Sequence, residues 1–265
     1  MQLSLTSRRE VDPTVAGSER SVRTDRKVVA CIGSSSTAGK GQAFDWIGEL
    51  SRRTRNSGFR FVNFGVGGDL AYNALQRLQD VVACRPDKVV IWVGSNDVLA
   101  RVSSKAKRFY QLTKHLPVEP TLEWFRVNIE AIACRLQNEA SSTAAFCSLP
   151  PIGEDPDSTD PFQSEVNQLL EKYSAIIKDV TLRKDVGYIP LHEAMLAQIH
   201  ISPRRALTSF RFLSLYRDAL RTLILRRSPD EVARMNGWLF HTDGVHLNSR
   251  GGMIAADLIQ EFIDR

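Results

Sequence analysis

The sequence has few cysteines, no long apolar run and no cluster of metal-type ligands. Its four cysteines, Cys31, Cys84, Cys134 and Cys147, are scattered with no CxxC spacing. That argues against a zinc site and against a disulfide framework. Cys31 and Cys147 lie in apolar, strand-like stretches and read as buried reduced thiols of a reducing compartment. No stretch approaches the roughly 20 apolar residues of a membrane span. The polar opening MQLSLTSRREVDPTVAGSERSVRTDRK lacks the apolar core of a secretory signal. A cytoplasmic protein without an integral membrane span is expected. Charge of one sign is also scarce outside one segment. Residues 202–235 carry eight arginines against three acids, and the rest of the chain is near neutral, within a formal total of +5. A uniformly basic surface for nucleic acid is therefore not indicated.

What is present is an ordinary globular composition, 43% apolar and 25% charged over 265 residues, enough chain to bury a core without covalent staples. Residues 1–26 read as a polar N-terminal extension. Residues 27–265 read as a single domain with a helical insertion at 202–237. Short apolar runs rich in β-branched residues predict strands near 27–32, 59–64, 88–93, 143–149 and 186–189. Helical patterns lie between them at about 40–56, 70–83, 121–140, 162–183 and 249–264. Strands alternating with helices imply an α/β fold of three layers, α/β/α, around a five-stranded parallel sheet. The flavodoxin-like order 2-1-3-4-5 is expected, with ligands at the carboxyl ends of the strands.

The first strand runs into CIGSSSTAGKGQ at 31–42, a turn that suits either a phosphate cradle or a raised nucleophile. A P-loop needs four residues between its glycines and a hydroxyl after the lysine. Here five residues separate Gly33 from Gly39, and Gly41 follows Lys40. GVGG at 65–68 does not complete a dinucleotide fingerprint, because Leu70 stands at the third glycine position. A nucleophilic serine needs a base, an orienting acid and donors for an oxyanion. Three further blocks offer them: NFGVGGDLAYN at 63–73, WVGSNDVLA at 92–100 and HTDGVHLNSRGG at 241–252. Taken singly, each has a plainer reading. A serine here is a helix cap, Gly68 a turn glycine, Asn96 and Asp97 caps or turn formers. Asp69 suits bracing of its own block, and His241 suits a supporting role beside the last block. His115, His192 and His200 have no sequence partners.

Taken in order, the four blocks resemble the SGNH hydrolases, also called the GDSL esterase/lipase family. IGSSSTAGKG resembles the first block, NFGVGG the second, VGSND the third and DGVHLNSRG the last, over about residues 27–264. The resemblance implies Ser35 as nucleophile, with Asp243 and His246 completing a triad. It implies an oxyanion hole from Ser35, Gly68 and Asn96, with no cofactor and no metal. The first block departs from Gly-Asp-Ser, since Ser34 stands where the family usually has aspartate. Ser34 and Ser36 flank the candidate, and Thr37-Ala38-Gly39 fixes the alignment on Ser35. The implied function is hydrolysis of a carboxylic ester, or a related acyl bond, of a small molecule, sugar or lipid through an acyl-serine. An acyl transferase, or a silent binding module of the same fold, are the alternatives. The insertion reads as a lid or acyl-pocket wall, as plain packing, or, through 202–227, as a peripheral contact with an anionic membrane or partner. Ser202-Pro203 and Ser228-Pro229 mark helix starts within it and Gly237 a helix end.

Overall fold

In β1 (Lys27–Gly33) the successive residues Val29, Ala30, Cys31 and Ile32 are all fully buried. A strand with apolar residues on both faces needs cover on both, and the chain supplies it. The computed structural model describes residues 26–41, 43–202, 205–208, 221–222, 224 and 226–265. Five strands, β1, β2 (Phe59–Gly65), β3 (Lys88–Trp92), β4 (Thr143–Cys147) and β5 (Gly187–Ile189), form one parallel sheet in the order β2-β1-β3-β4-β5. Ala30 and Ile32, with Val89 and Ile91, face a core shared with α3 (Ala71–Gln76), α4 (Leu78–Ala83), α7 (Leu122–Glu139) and α8 (Pro161–Lys184). Val29 and Cys31, with Val90 and Trp92, face the opposite core. That layer is closed by α2 (Trp46–Arg52), α9 (Leu191–His200) and α11 (Ser249–Ile263). The alternation along each strand is the two-residue period of the pleat.

Strand register fixes where the loops emerge. Gly33 pairs with Gly65 on one side and Trp92 on the other. Ser35, Gly68 and Asn96 follow these three residues within four positions, so their loops leave the same sheet edge as neighbours.

The helices depart from the sequence expectations in ways that have local causes. The pattern at 40–56 yields only α2 and a 3-10 turn, Thr54–Asn56. Gly39 and Gly41 have φ of +62° and +67°, a left-handed backbone that keeps the start of this pattern out of a helix. The helix starts where the Asp45 carboxylate accepts from Gly48 N at 2.9 Å. Ahead of it a short α1 (Ser35–Ala38) forms directly after β1. The pattern at 70–83 is split at Arg77 into α3 and α4. α5 (Ser95–Val102), α6 (Ser104–Thr113) and α9 were not anticipated. The Ser228 cap with its reciprocal Glu231 bond, Pro229 at the first position and left-handed Gly237 bound α10 (Pro229–Asn236) as the sequence suggests. Residues 1–25, Pro203 and most of 209–225, within the helical insertion read from the sequence, lie outside the described residues. Among the described residues no helix is long and apolar enough to cross a membrane, and all four cysteines are unpaired.

The loop after α10 carries Asp243 and His246, and one buried carboxylate pins it. Glu154, on the loop after β4, is 2% exposed. It accepts from the backbone N–H groups of Leu239 (2.9 Å), Phe240 (2.7 Å) and His241 (3.0 Å). The fully buried His241 ring lies between it and the chain. Nδ1 is 2.9 Å from Glu154 Oε1 and Nε2 is 2.9 Å from Pro151 O. Both ring nitrogens thus face an oxygen of the loop after β4. Burial pushes the Glu154 carboxyl up, but His241 and the backbone amides outweigh it and hold the group below its ordinary value. Gly153 N also donates to Gly244 O at 2.7 Å. Removing one partner of a buried charged cluster costs about 3–5 kcal/mol. Glu154→Ala is therefore predicted to lose about 3 kcal/mol or more of unfolding free energy at neutral pH, read by urea denaturation. Because the folded carboxyl sits low, its stabilisation is present above 4.5, the ordinary carboxyl value, and is lost as pH falls through the folded value. A loss under about 1 kcal/mol at neutral pH would contradict this account of the loop.

Candidate active site

A serine hydroxyl at neutral pH is a poor nucleophile unless a base touches it. Ser35 Oγ lies 2.8 Å from His246 Nε2. On its other side His246 Nδ1 is 2.8 Å from Asp243 Oδ2. The second oxygen of Asp243 accepts from the backbone N–H groups of Val245 at 2.9 Å and His246 at 2.8 Å. This short closed turn fixes the carboxylate against the ring, and Thr242 N donating to His246 O at 2.7 Å ties the loop across its base. The Asp243 side chain is nearly inaccessible, and that of His246 keeps slight exposure. Burial alone would raise the Asp243 carboxyl, but His246 and the two amides overcome it and hold the group below 3.8. Burial alone would lower the imidazole, but Asp243 overcomes that and raises it above 6.5.

The turn that presents Ser35 is braced without the aspartate usual at position 34. Ser34 is buried and its carbonyl accepts from Thr37 N (3.2 Å) and Ala38 N (2.9 Å). Its side chain makes no cap. The support comes from elsewhere: Trp46 Nε1 donates to Ser36 O at 3.0 Å, and Asn63 Nδ2 to Ala38 O at 3.3 Å. Close packing requires the glycine before the turn. A Cβ on Gly33 would fall 2.5 Å from Trp92 O.

The other two sequence-predicted residues are held in one network. Val66 N donates to Gly33 O at 3.0 Å, linking the second loop to the first. Gly68 has φ +79°, which favours glycine. Asn96 Nδ2 donates to Asp69 O at 2.9 Å, and Tyr110 Oη donates to Asn96 Oδ1 at 2.8 Å. The tyrosine fixes which way the amide faces, and an amide has a second N–H to give. Among the described residues, the N–H groups of Ser35 and Gly68 have no hydrogen-bond partner. Asp69 braces the loop with its carboxylate, accepting from Arg77 Nη2 at 2.7 Å and Lys114 Nζ at 2.9 Å.

One of the residues singled out in the sequence plays a different part from the one suggested there. Asp97 does not cap its own helix. Its carboxylate accepts from Ala71 N at 3.1 Å at the start of α3, and burial pushes its pKa up to about 8. His241 does support the last block, through Glu154. Glu154, Tyr110 and Lys114 carry no motif, and sequence reasoning missed them. The one available hint was that Glu154 is charged within the apolar, proline-bearing run SLPPIGED. Among the described residues no group of histidine, cysteine and acidic side chains is disposed to hold a metal.

Comparison with known proteins identifies the family and the fold. Residues 31–209 match the profile of the GDSL-like Lipase/Acylhydrolase family, a stretch containing Ser35, Gly68 and Asn96 but ending before the loop of Asp243 and His246. No curated protein matches the sequence. Similar solved structures include the acetylxylan esterase Axe2 of Geobacillus stearothermophilus, at TM-score 0.59 and 17% identity over 89% of this chain and 94% of that one. The acetyl xylan esterase AlAXEase gives 0.59 and 20%, over 89% of this chain and 99% of that one. LAE5, an alpha/beta hydrolase from the metagenome of Lake Arreo in Spain, gives 0.58 and 15%, over 89% and 94%. At these identities the structural likeness speaks for the fold, while the family follows from the profile match over more than half of the chain. The chain belongs to the GDSL-like lipase/acylhydrolase family and is a carboxylic ester hydrolase.

Proposed function

We propose that Ser35 attacks the ester carbonyl of a small-molecule substrate and forms an acyl-serine. His246 Nε2 takes the hydroxyl proton as the Ser35 oxygen bonds to the carbonyl carbon, and the carbonyl electron pair moves onto oxygen. The tetrahedral centre collapses with loss of the alcohol, which receives that proton from His246. Water then repeats the sequence, releasing the acid and freeing Ser35. Asp243 keeps Nδ1 protonated and stabilises the imidazolium formed in each half. The oxyanion is met by the N–H groups of Ser35 and Gly68 and by the Asn96 amide. Each such donor contributes on the order of 3 kcal/mol to the transition state. The observation that carries this reading is the unbroken relay from Ser35 Oγ through both ring nitrogens to Asp243, each contact 2.8 Å.

We extend the proposal to substrate choice. The neighbours of this fold include acetylxylan esterases, so acetylated oligosaccharides belong beside simple acetyl esters among the first substrates. Leu207 and Trp238, at either end of the helical insertion, both pack within about 3.2 Å of where a Gly244 Cβ would stand. This packing between Asp243 and His246 supports the reading of 202–237 as a segment that limits the acyl chain.

A panel of p-nitrophenyl esters from acetate upward should be hydrolysed by the wild type, with Ser35→Ala losing about 10⁴-fold or more in kcat. Retained turnover in that variant would end the proposal. The pH profile gives a second check. His246 accepts a proton only when neutral, and Asp243 holds its ionisation above 6.5. kcat/KM should therefore rise with pH through an ionisation above 6.5 and then level. In Asp243→Asn the raising partner is gone, so the ionisation should move to lower pH while kcat drops about 10⁴-fold. An ionisation that stays in place in the variant would contradict the assignment.

A further inference from the structure

The ester-hydrolysis reading above treats the Gly68 N–H as an oxyanion donor and leaves open what holds that peptide. The bond between Gly67 and Gly68 has no side chain on either residue to pack it. Gly67 is exposed, a Cβ built on it would meet nothing within 4 Å, and Gly68 sits at φ +79°. Two adjacent glycines are the least conformationally restricted pair a chain can offer. A donor that reorients during the reaction contributes less than one already in place.

One contact answers this. Lys114 Nζ, just past α6, donates to Gly67 O at 2.6 Å and to Asp69 Oδ1 at 2.9 Å. Gly67 O and the Gly68 N–H belong to the same peptide plane, and no peptide bond among the described residues is cis. In a trans peptide the carbonyl and the N–H point in opposite directions. A cation fixed on the oxygen therefore sets the plane and directs the N–H away from itself. It also draws electron density toward the oxygen, which makes the N–H the stronger donor, since hydrogen-bonded groups polarise one another in series. The lysine is itself anchored. Its stem packs on Gly68, with Cε 2.9 Å from where a Cβ would be. Its backbone carbonyl accepts from Asn73 Nδ2 at 3.0 Å, while Asn73 Oδ1 accepts from Leu70 N at 3.1 Å. The side chain retains 17% exposure.

A simpler role, neutralising Asp69, does not account for this arrangement. Arg77 already places Nε at 2.9 Å and Nη2 at 2.7 Å on Asp69 Oδ2. The lysine takes the other oxygen and spends its shorter bond on the glycine carbonyl. Four residues earlier, one turn back along α6, Tyr110 orients Asn96. One end of α6 thus reaches both non-serine donors.

We propose that Lys114 is a positioning residue for the oxyanion hole, fixing and polarising the Gly67–Gly68 peptide through Gly67 O. The test compares wild type, Lys114→Met and Lys114→Arg on p-nitrophenyl acetate and on an alkyl trifluoromethyl ketone. Ser35 adds to the ketone carbonyl, its proton passes to His246, and the resulting hemiketal oxyanion occupies the hole. Lys114→Met should lose about 10-fold or more in kcat, with KM within about threefold of wild type, and should bind the ketone weaker by the same factor. Lys114→Arg, which keeps a cation and N–H donors, should retain at least about a third of kcat. If the methionine variant does not fold, Lys114→Gln is read by the same criteria as Lys114→Met. A kcat within about twofold of wild type in the uncharged variant overturns the proposal, as does a loss of kcat without a matching loss of ketone affinity. A wild type that neither hydrolyses the ester nor binds the ketone would instead remove the hydrolytic reading of Ser35 on which this proposal rests.

Discussion

The hydrogen bond from Ser35 Oγ to His246 Nε2 joins residues 211 positions apart, and the fold is organised so that it can form. A parallel sheet sends every strand's carboxyl end to one edge. The register of β1 against β2 and β3 then sets Gly33, Gly65 and Trp92 side by side. The turns that follow carry Ser35, Gly68 and Asn96. The histidine arrives from outside the sheet, on a loop that must be fixed by other means. Glu154, buried within the loop after β4, supplies that fixing through three backbone N–H groups and the ring of His241.

Polar groups buried around the site are costly unless paired, and those around Asp69 and Asn96 are paired with each other. Asp69 binds Arg77 and Lys114 through its carboxylate and Asn96 through its carbonyl. Tyr110 completes the Asn96 amide, and Asp97 completes the first N–H of α3. Groups fixed before substrate arrives need no reorganisation when charge develops. The same networks that stabilise the loops therefore preorganise the chemistry proposed for them.

Much of this was legible in the residues. The strands were, because runs such as VVACI and KVVIW are apolar on both faces and bounded by glycine, proline or polar turns. The sheet order and the four blocks followed, and with them Ser35, Gly68, Asn96, Asp243 and His246 as the residues to watch. What could not be read has a common physical character. α5 and α6 bury polar side chains, Asn96, Asp97 and Tyr110, so their apolar periodicity is broken where the site needs it. Glu154 and Lys114 act largely through long-range contacts to backbone atoms, and a pairing of side chain with backbone leaves no trace in residue spacing. Helix limits near Gly39, Gly41 and Arg77 depended on backbone angles and on an arginine reaching back to Asp69 and Phe64 O.

The central claim is that one oxygen among three consecutive serines is the attacking atom. The most direct measurement is peptide mapping by tandem mass spectrometry after treatment with diethyl p-nitrophenyl phosphate. A single diethylphosphoryl adduct on Ser35, abolished in His246→Ala, is the predicted result. An adduct on Ser34 or Ser36, or no adduct on any of the three in active protein, would contradict it.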